Sequence, residues 1–192
     1  MSVHGKARIS IAARNEWLLT RGLRRPYALP VDAYRGLTAS IEAAWEELEG
    51  SEAGSRHLRL DAISDILETG RLPQKDAVRA VERLVIVALS AEDHAVRESA
   101  LNAACTASTY YELPYRVVEP LAAGADRFEP LLLAYVLTIL GGTHDHAALP
   151  IIERFRHHDH PEVRREAAEA VTEVRGYRKP VQDRTTCDLT LD

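Results

Sequence analysis

The sequence predicts an all-α fold, a solenoid of about four helical hairpins, and three observations carry that expectation. Hydrophobic residues make up 46% of the 192 positions but aromatics only 6%, with alanine abundant. Such a composition suits closely packed helices better than strands, which draw on β-branched and aromatic side chains. Apolar residues then recur at helical rather than alternating spacing through most of the chain. Finally, "HAVRESALNAA" at 94–104 is echoed by "EVRREAAEAV" at 162–171, each with Val-Arg and then Ala four and seven residues after the Val. Asp93, Asp126 and Asp159 stand 33 residues apart, each ahead of such a segment. A period in the low thirties with two helices per period signals a repeat array.

Taken in order, residues 1–31 form a basic arm, in which 7–23, with Ile9, Ala13, Trp17 and Leu18, can make a helix covering the exposed end of the array. Asp32 can cap a helix Ala33–Glu49 that Gly50 stops, and its partner runs from Arg56 to Thr69, closed by Gly70. Pro73 opens Gln74–Leu89, and Asp93 starts the partner that continues to Thr109. Pro114 opens Tyr115–Ala123, with partner Pro130–Leu140 ended by Gly141 and Gly142. Asp145 starts a helix His146–His157, whose partner Pro161–Arg175 is closed by Gly176. The repeat domain is therefore 32–176, and 177–192, without helical period and holding Pro180, reads as an extended or disordered tail.

Positions i, i+4 and i+7 share one helix face, so Val96, Ala100 and Ala103 make a narrow stripe that a neighbouring helix can approach closely. The same spacing appears at Val163, Ala167 and Ala170, at Pro130, Ala134 and Leu137, and loosely at Leu58, Ala62 and Asp65. At these residues the chain resembles the HEAT-repeat family over about 34–176. The resemblance implies a right-handed α-solenoid whose second helices line a concave surface. It also implies a ladder in which the motif Arg pairs with a turn Asp of an adjacent repeat, with Asp93, Arg97, Asp159 and Arg164 in place and Leu131 interrupting it.

Charge narrows the function classes. The net is −5, yet residues 1–31 carry six basic side chains against Glu16, so the remainder carries −10. An acidic body argues against a nucleic-acid phosphate as the main ligand and for a basic protein partner. The longest apolar run, Leu131–Leu137, is far short of the roughly 20 residues of a membrane helix. No signal-peptide pattern precedes Glu16, and Cys105 and Cys187 do not read as a disulfide framework, so a cytoplasmic location and no membrane partner are expected.

The candidate chemistry is sparse. His144-Asp145-His146 and His157-His158-Asp159-His160 offer metal-ligand residue types, but a helix between them would hold them roughly 16 Å apart. No Gly-x-Ser-x-Gly turn, phosphate loop or dinucleotide fingerprint occurs. No catalytic residue, metal or cofactor is assigned. HEAT-like enzymes (DNA-glycosylase-like, lyase-like or metal-dependent) and nucleic-acid binders remain the alternative classes, and oligomeric state is not legible.

The expected function is a non-enzymatic protein-interaction scaffold. With the helix Pro130–Leu140 matched to the other copies, Leu132, Leu133 and Val136 fall where those copies have Glu98, Ser99 and Asn102, or Arg165, Glu166 and Glu169. With Tyr135 they would make an apolar groove centre, and Glu98, Asn102, Arg165 and Glu169 its polar surround. The competing reading is that this helix is apolar all round because it is buried. Tyr110-Tyr111 in an inter-repeat loop and the acidic flank Glu42, Glu46, Glu47 and Glu49 are secondary contact candidates, or a helix-end cover and a solvated face. Small acidic HEAT-like proteins are similar to bacterial immunity proteins, which implies a basic toxin domain as the partner.

Overall fold

A computed structural model describes residues 31–177; the basic arm, its expected capping helix over 7–23, and residues 178–192 lie outside the described residues. The described chain is all-helical. Its α-helices are α1 (Val31–Glu49), α2 (Arg56–Glu68), α3 (Gln74–Ser90), α4 (His94–Tyr110), α5 (Tyr115–Ala123), α6 (Pro130–Gly141), α7 (Leu149–Arg154) and α8 (Pro161–Gly176). Short connections make consecutive helices neighbours, and α1 packs on α2, α3 on α4, α5 on α6 and α7 on α8. The second helices also form a row in which α4 packs on α2 and α6, and α6 on α8.

Most boundaries fall within a residue or two of expectation because the punctuation is strong. Pro73 and Pro114 precede α3 and α5, and Asp93 accepts the Val96 N–H at 3.1 Å to cap α4. Two expected helix boundaries need correction, and Asp159, though just ahead of α8 in sequence, does not sit at its cap. The helix expected over His146–His157 is broken: 3₁₀ turns at His146–Ala148 and Phe155–His157 flank the six-residue α7, where Pro150 sits in the first turn. Asp159 caps nothing; His160 is the N-cap of α8, and Pro161 supplies no N–H there to satisfy. Helix α1 begins at Val31, so Asp32 lies inside it rather than ahead of it.

The 33-residue register is also corrected. Each second helix buries a stripe at i, i+4 and i+7: Leu60, Ser64, Leu67; Val96, Ala100, Ala103; Leu132, Val136, Ile139; and Val163, Ala167, Ala170. Their first members are Leu60, Val96, Leu132 and Val163, spaced 36, 36 and then 31 residues. The shortening coincides with the broken α7. The even spacing of Asp93, Asp126 and Asp159 averages two unequal intervals and marks no common position: Asp93 caps a helix, whereas Asp126 sits in a 3₁₀ turn and pairs with Arg154 at 2.7 Å.

Close approach is built in where α6 ends. A Cβ on Gly141 would stand 3.0 Å from Ala170 of α8, and one on Gly142 3.0 Å from Ser108 of α4. Glycine at these two positions lets the last turn of α6 sit between its neighbours.

Candidate interaction surface

The Val-Arg motif turns out to be a hairpin fastener. Arg97 donates from Nε to the Ala91 carbonyl (3.1 Å) and from Nη2 to the Glu92 carbonyl (3.2 Å), while Arg164 donates from Nη1 to the carbonyls of His158 and Asp159, both at 2.8 Å. In both hairpins the guanidinium reaches back five and six residues to carbonyls left without helical partners at the end of the first helix. The expected Asp–Arg ladder through Asp93, Arg97, Asp159 and Arg164 does not form among the described residues. Those turn carbonyls need donors more than exposed Asp side chains need partners.

The predicted groove centre is likewise overturned. Leu132, Leu133 and Val136 are all buried, the first and last with no exposed surface. Leu132 and Val136 belong to the stacking stripe of α6, Leu133 is buried beside it, and a two-residue register error made all three look misplaced. What α6 leaves at its surface is Leu131, 43% exposed, and the half-buried Tyr135 and Thr138. The predicted polar residues do hold equivalent places on the flanking helices: Glu98 and Asn102 lie two and six residues after Val96, and Arg165 and Glu169 two and six after Val163. Glu98, Asn102 and Glu169 are partly exposed and Arg165 is exposed.

Beside them α8 carries an acidic stripe, Glu162, Glu166, Glu169 and Glu173, at i, i+4, i+7 and i+11. Glu166 is only 2% exposed, yet it is fully engaged: Thr138 donates to it across the α6–α8 seam (3.0 Å), and Arg165 pairs with it at 3.0 Å. Arg165 also contacts Glu162 and approaches Glu169 at 3.7 Å, so one guanidinium serves three carboxylates. Burial raises the Glu169 carboxyl above its ordinary pKa, with Glu166 adding to the shift and Arg165 opposing it. At the far end, Glu173 lies 3.3 Å from His144 Nε2. His144 adopts φ 54°, the left-handed region, and stacks on Tyr177 with ring centroids 4.0 Å apart.

The other candidates prove to be structural. Tyr111 is buried and its hydroxyl accepts the Leu72 N–H at 3.1 Å, while Tyr110 packs on Gly70, whose φ of +63° favours glycine. Burial raises the Tyr111 pKa accordingly. Three of the four glutamates of the α1 flank pair internally, Glu47 with Arg59, Glu49 with Arg83 and Glu42 with both Arg79 and Arg83, while Glu46 is exposed. His158 Nδ1 accepts the His160 N–H at 3.0 Å within its own turn. Among the described residues no group of three or more His, Cys, Asp or Glu stands close enough to hold a metal ion, and no described helix is long and apolar enough to cross a membrane.

No protein-family model matches the chain, and none of the curated protein sequences compared with it is significantly similar.

Proposed function

We propose that the chain is a HEAT-like α-solenoid that works without catalysis, presenting the outer face of its second-helix row to a basic protein partner. The observation that carries this reading is the pairing of an apolar point with unbalanced acid. Leu131 and Tyr135 reach the surface from an otherwise buried helix, between Glu98 and Asn102 on one side and the Glu162–Glu173 stripe on the other. An apolar centre inside a polar rim is the usual anatomy of a protein-binding patch, and the body's −10 complements a basic surface and speeds encounter with it. The resemblance to small immunity proteins makes a basic toxin domain the partner class.

The test is affinity capture with three full-length baits: wild type, Leu131→Glu and Ile86→Glu. Ile86 is the most exposed large hydrophobic among the described residues, at 64%, but it lies on the first-helix α3. Leu131→Glu should lose a basic partner that wild type and Ile86→Glu retain, and added salt should weaken its retention. Identical captured sets from all three baits refute the surface.

A further inference from the structure

The row of second helices has a furrow, and its floor is α6. On the corrected register, the positions that carry Glu98 and Asn102 on α4, and Arg165 and Glu169 on α8, carry Ala134 and Thr138 on α6. Helix α4 packs on one side of α6 and α8 on the other. Two small side chains therefore lie between two walls of longer ones. Helices in contact stand about 8–10 Å apart, so α4 and α8 are about 16–20 Å apart. That leaves over α6 the width of one helix, about 10 Å.

The furrow changes character along its length. Where α6 begins, Leu131 is exposed and Tyr135 half-buried. Where α6 ends the lining is acidic: a Cβ on Gly141 would stand 3.0 Å from Glu173 Oε2, and Glu173 Oε1 is 3.3 Å from His144 Nε2. This carboxylate meets the negative end of the α6 dipole, a place that favours a cation. Its ion-pair partner among the described residues is His144, a cation only when protonated. Arg165, which approaches Glu169, is shared with Glu162 and Glu166. Burial, and after it Glu166, raises the Glu169 carboxyl pKa, so a cation brought beside it relieves an existing cost.

The spacing suits a second helix. Leu131 precedes the α6 stripe by one residue as Glu162 precedes that of α8, and Glu162 lies eleven residues before Glu173. A helix antiparallel to α8 would meet Glu173 at i, Glu169 at i+4 and Leu131 at i+11, and those three positions share one helix face. Charge fixes its sign, since Glu98, Glu162, Glu166, Glu169 and Glu173 stand against Arg165 alone on these walls.

We propose that the furrow over α6 takes a basic helix, with lysine or arginine side chains on Glu169 and Glu173 and an apolar side chain on Leu131 and Tyr135. That the helix belongs to the protein's partner rests on the binding reading above; the furrow's selectivity for a basic helix does not.

The probe is a fluorescein-labelled, alanine-based helical peptide with arginine at i and i+4 and leucine at i+11, titrated into the full chain and followed by anisotropy. It should bind about fivefold more tightly than a peptide of equal charge in which two central prolines forbid the helix. Amide shifts of the ¹⁵N-labelled chain should move in residues 98–102, 131–142 and 162–173 rather than on α1. Glu169→Lys should weaken binding about tenfold, and Glu46→Lys, an equal charge change at an exposed position of α1, less than about twofold. Glu173→Gln, a milder change, should weaken it about threefold, with circular dichroism showing helix content unchanged in each variant. Equal affinity for the two peptides, equal losses from Glu169→Lys and Glu46→Lys, or no binding at all overturns the furrow. If the helical peptide binds as expected but Leu131→Glu captures the same proteins as wild type, the partner reading fails while the basic-helix site stands. If Leu131→Glu loses its partner and the proline peptide binds as well as the helical one, the surface stands and the helical occupant falls.

Discussion

The two acidic regions of the molecule, the flank of α1 and the stripe of α8, look alike in sequence and differ in electrostatic state. On α1, Glu42, Glu47 and Glu49 each meet an arginine from α2 or α3, and Arg83 also lies over the Trp45 ring at 4.2 Å. On α8, Glu162, Glu166 and Glu169 share the single Arg165, which comes from their own helix. The first arrangement spends its charge on holding helices together. The second keeps an excess of negative charge at the surface, anchored by one buried carboxylate. A run of glutamates therefore keeps its negative charge where, among the described residues, the neighbouring helices pair few cations with it.

The largest effect that separates the regions is expected at Glu166. Glu166→Ala removes the acceptor of both Thr138 and Arg165 in a buried setting and should destabilise the fold by about 2–3 kcal/mol. Glu47→Ala, its counterpart on α1, breaks an exposed pair and should cost at most about 0.5 kcal/mol. Urea unfolding of both variants checks the contrast, and equal losses would erase the distinction. Next in size is Arg83→Ala, which gives up pairs to Glu42 and Glu49 and the cation–π contact with Trp45. A loss of about 1 kcal/mol is expected. Arg97→Ala should fall in the same range, because it frees the Ala91 and Glu92 carbonyls of the hairpin turn to water. Thermal unfolding of the two variants places them between the extremes.

How far these regions could be read from the sequence depends on the range of the signal. Helix type and most helix ends were legible, because prolines, glycines and the Asp93 cap act on their own neighbours. The α7 break has a local mark in Pro150, which sits in the first turn of Leu149–Arg154 and within the helix expected over 146–157. Repeat register was legible only in part: Ala at four and seven after Val fixed α4 and α8, but in α6 Leu132 takes the place of the Val, and Val136 and Ile139 those of the two alanines. The fit then settled two residues early, on Ala134. That error converted a core stripe into a groove. The acidic spacing of α8 at i, i+4, i+7 and i+11 was not singled out, and the burial of Glu166 could not be, because it depends on Thr138 arriving from another helix. Nothing local could show that Arg59, Arg79 and Arg83 would meet the α1 glutamates while, among the described residues, Glu162, Glu166 and Glu169 pair only with Arg165 of their own helix.

The smallest effect is the most specific to the crowded region. The raised carboxyl pKa of Glu169, caused first by burial and then by Glu166, means that the folded chain holds a proton there more readily than the unfolded chain does. By linkage its contribution is fully favourable below the ordinary carboxylate range and is lost as pH rises through the folded value. At neutral pH the ionised side chain is thus a mild burden on the fold. Glu169→Gln should raise Tm slightly at pH 7, even though it gives up the 3.7 Å approach of Arg165. The gain should vanish as pH is lowered to about 4, where the wild-type carboxyl is itself protonated. Glu49→Gln, in the paired flank, should show no gain at pH 7, because Arg83 already compensates that charge. The measurement is the Tm difference from wild type for each variant between pH 4 and pH 7.5. A Glu169→Gln difference that does not change with pH, or a Glu49→Gln difference of the same shape, would mean that the two acidic regions share one electrostatic state after all.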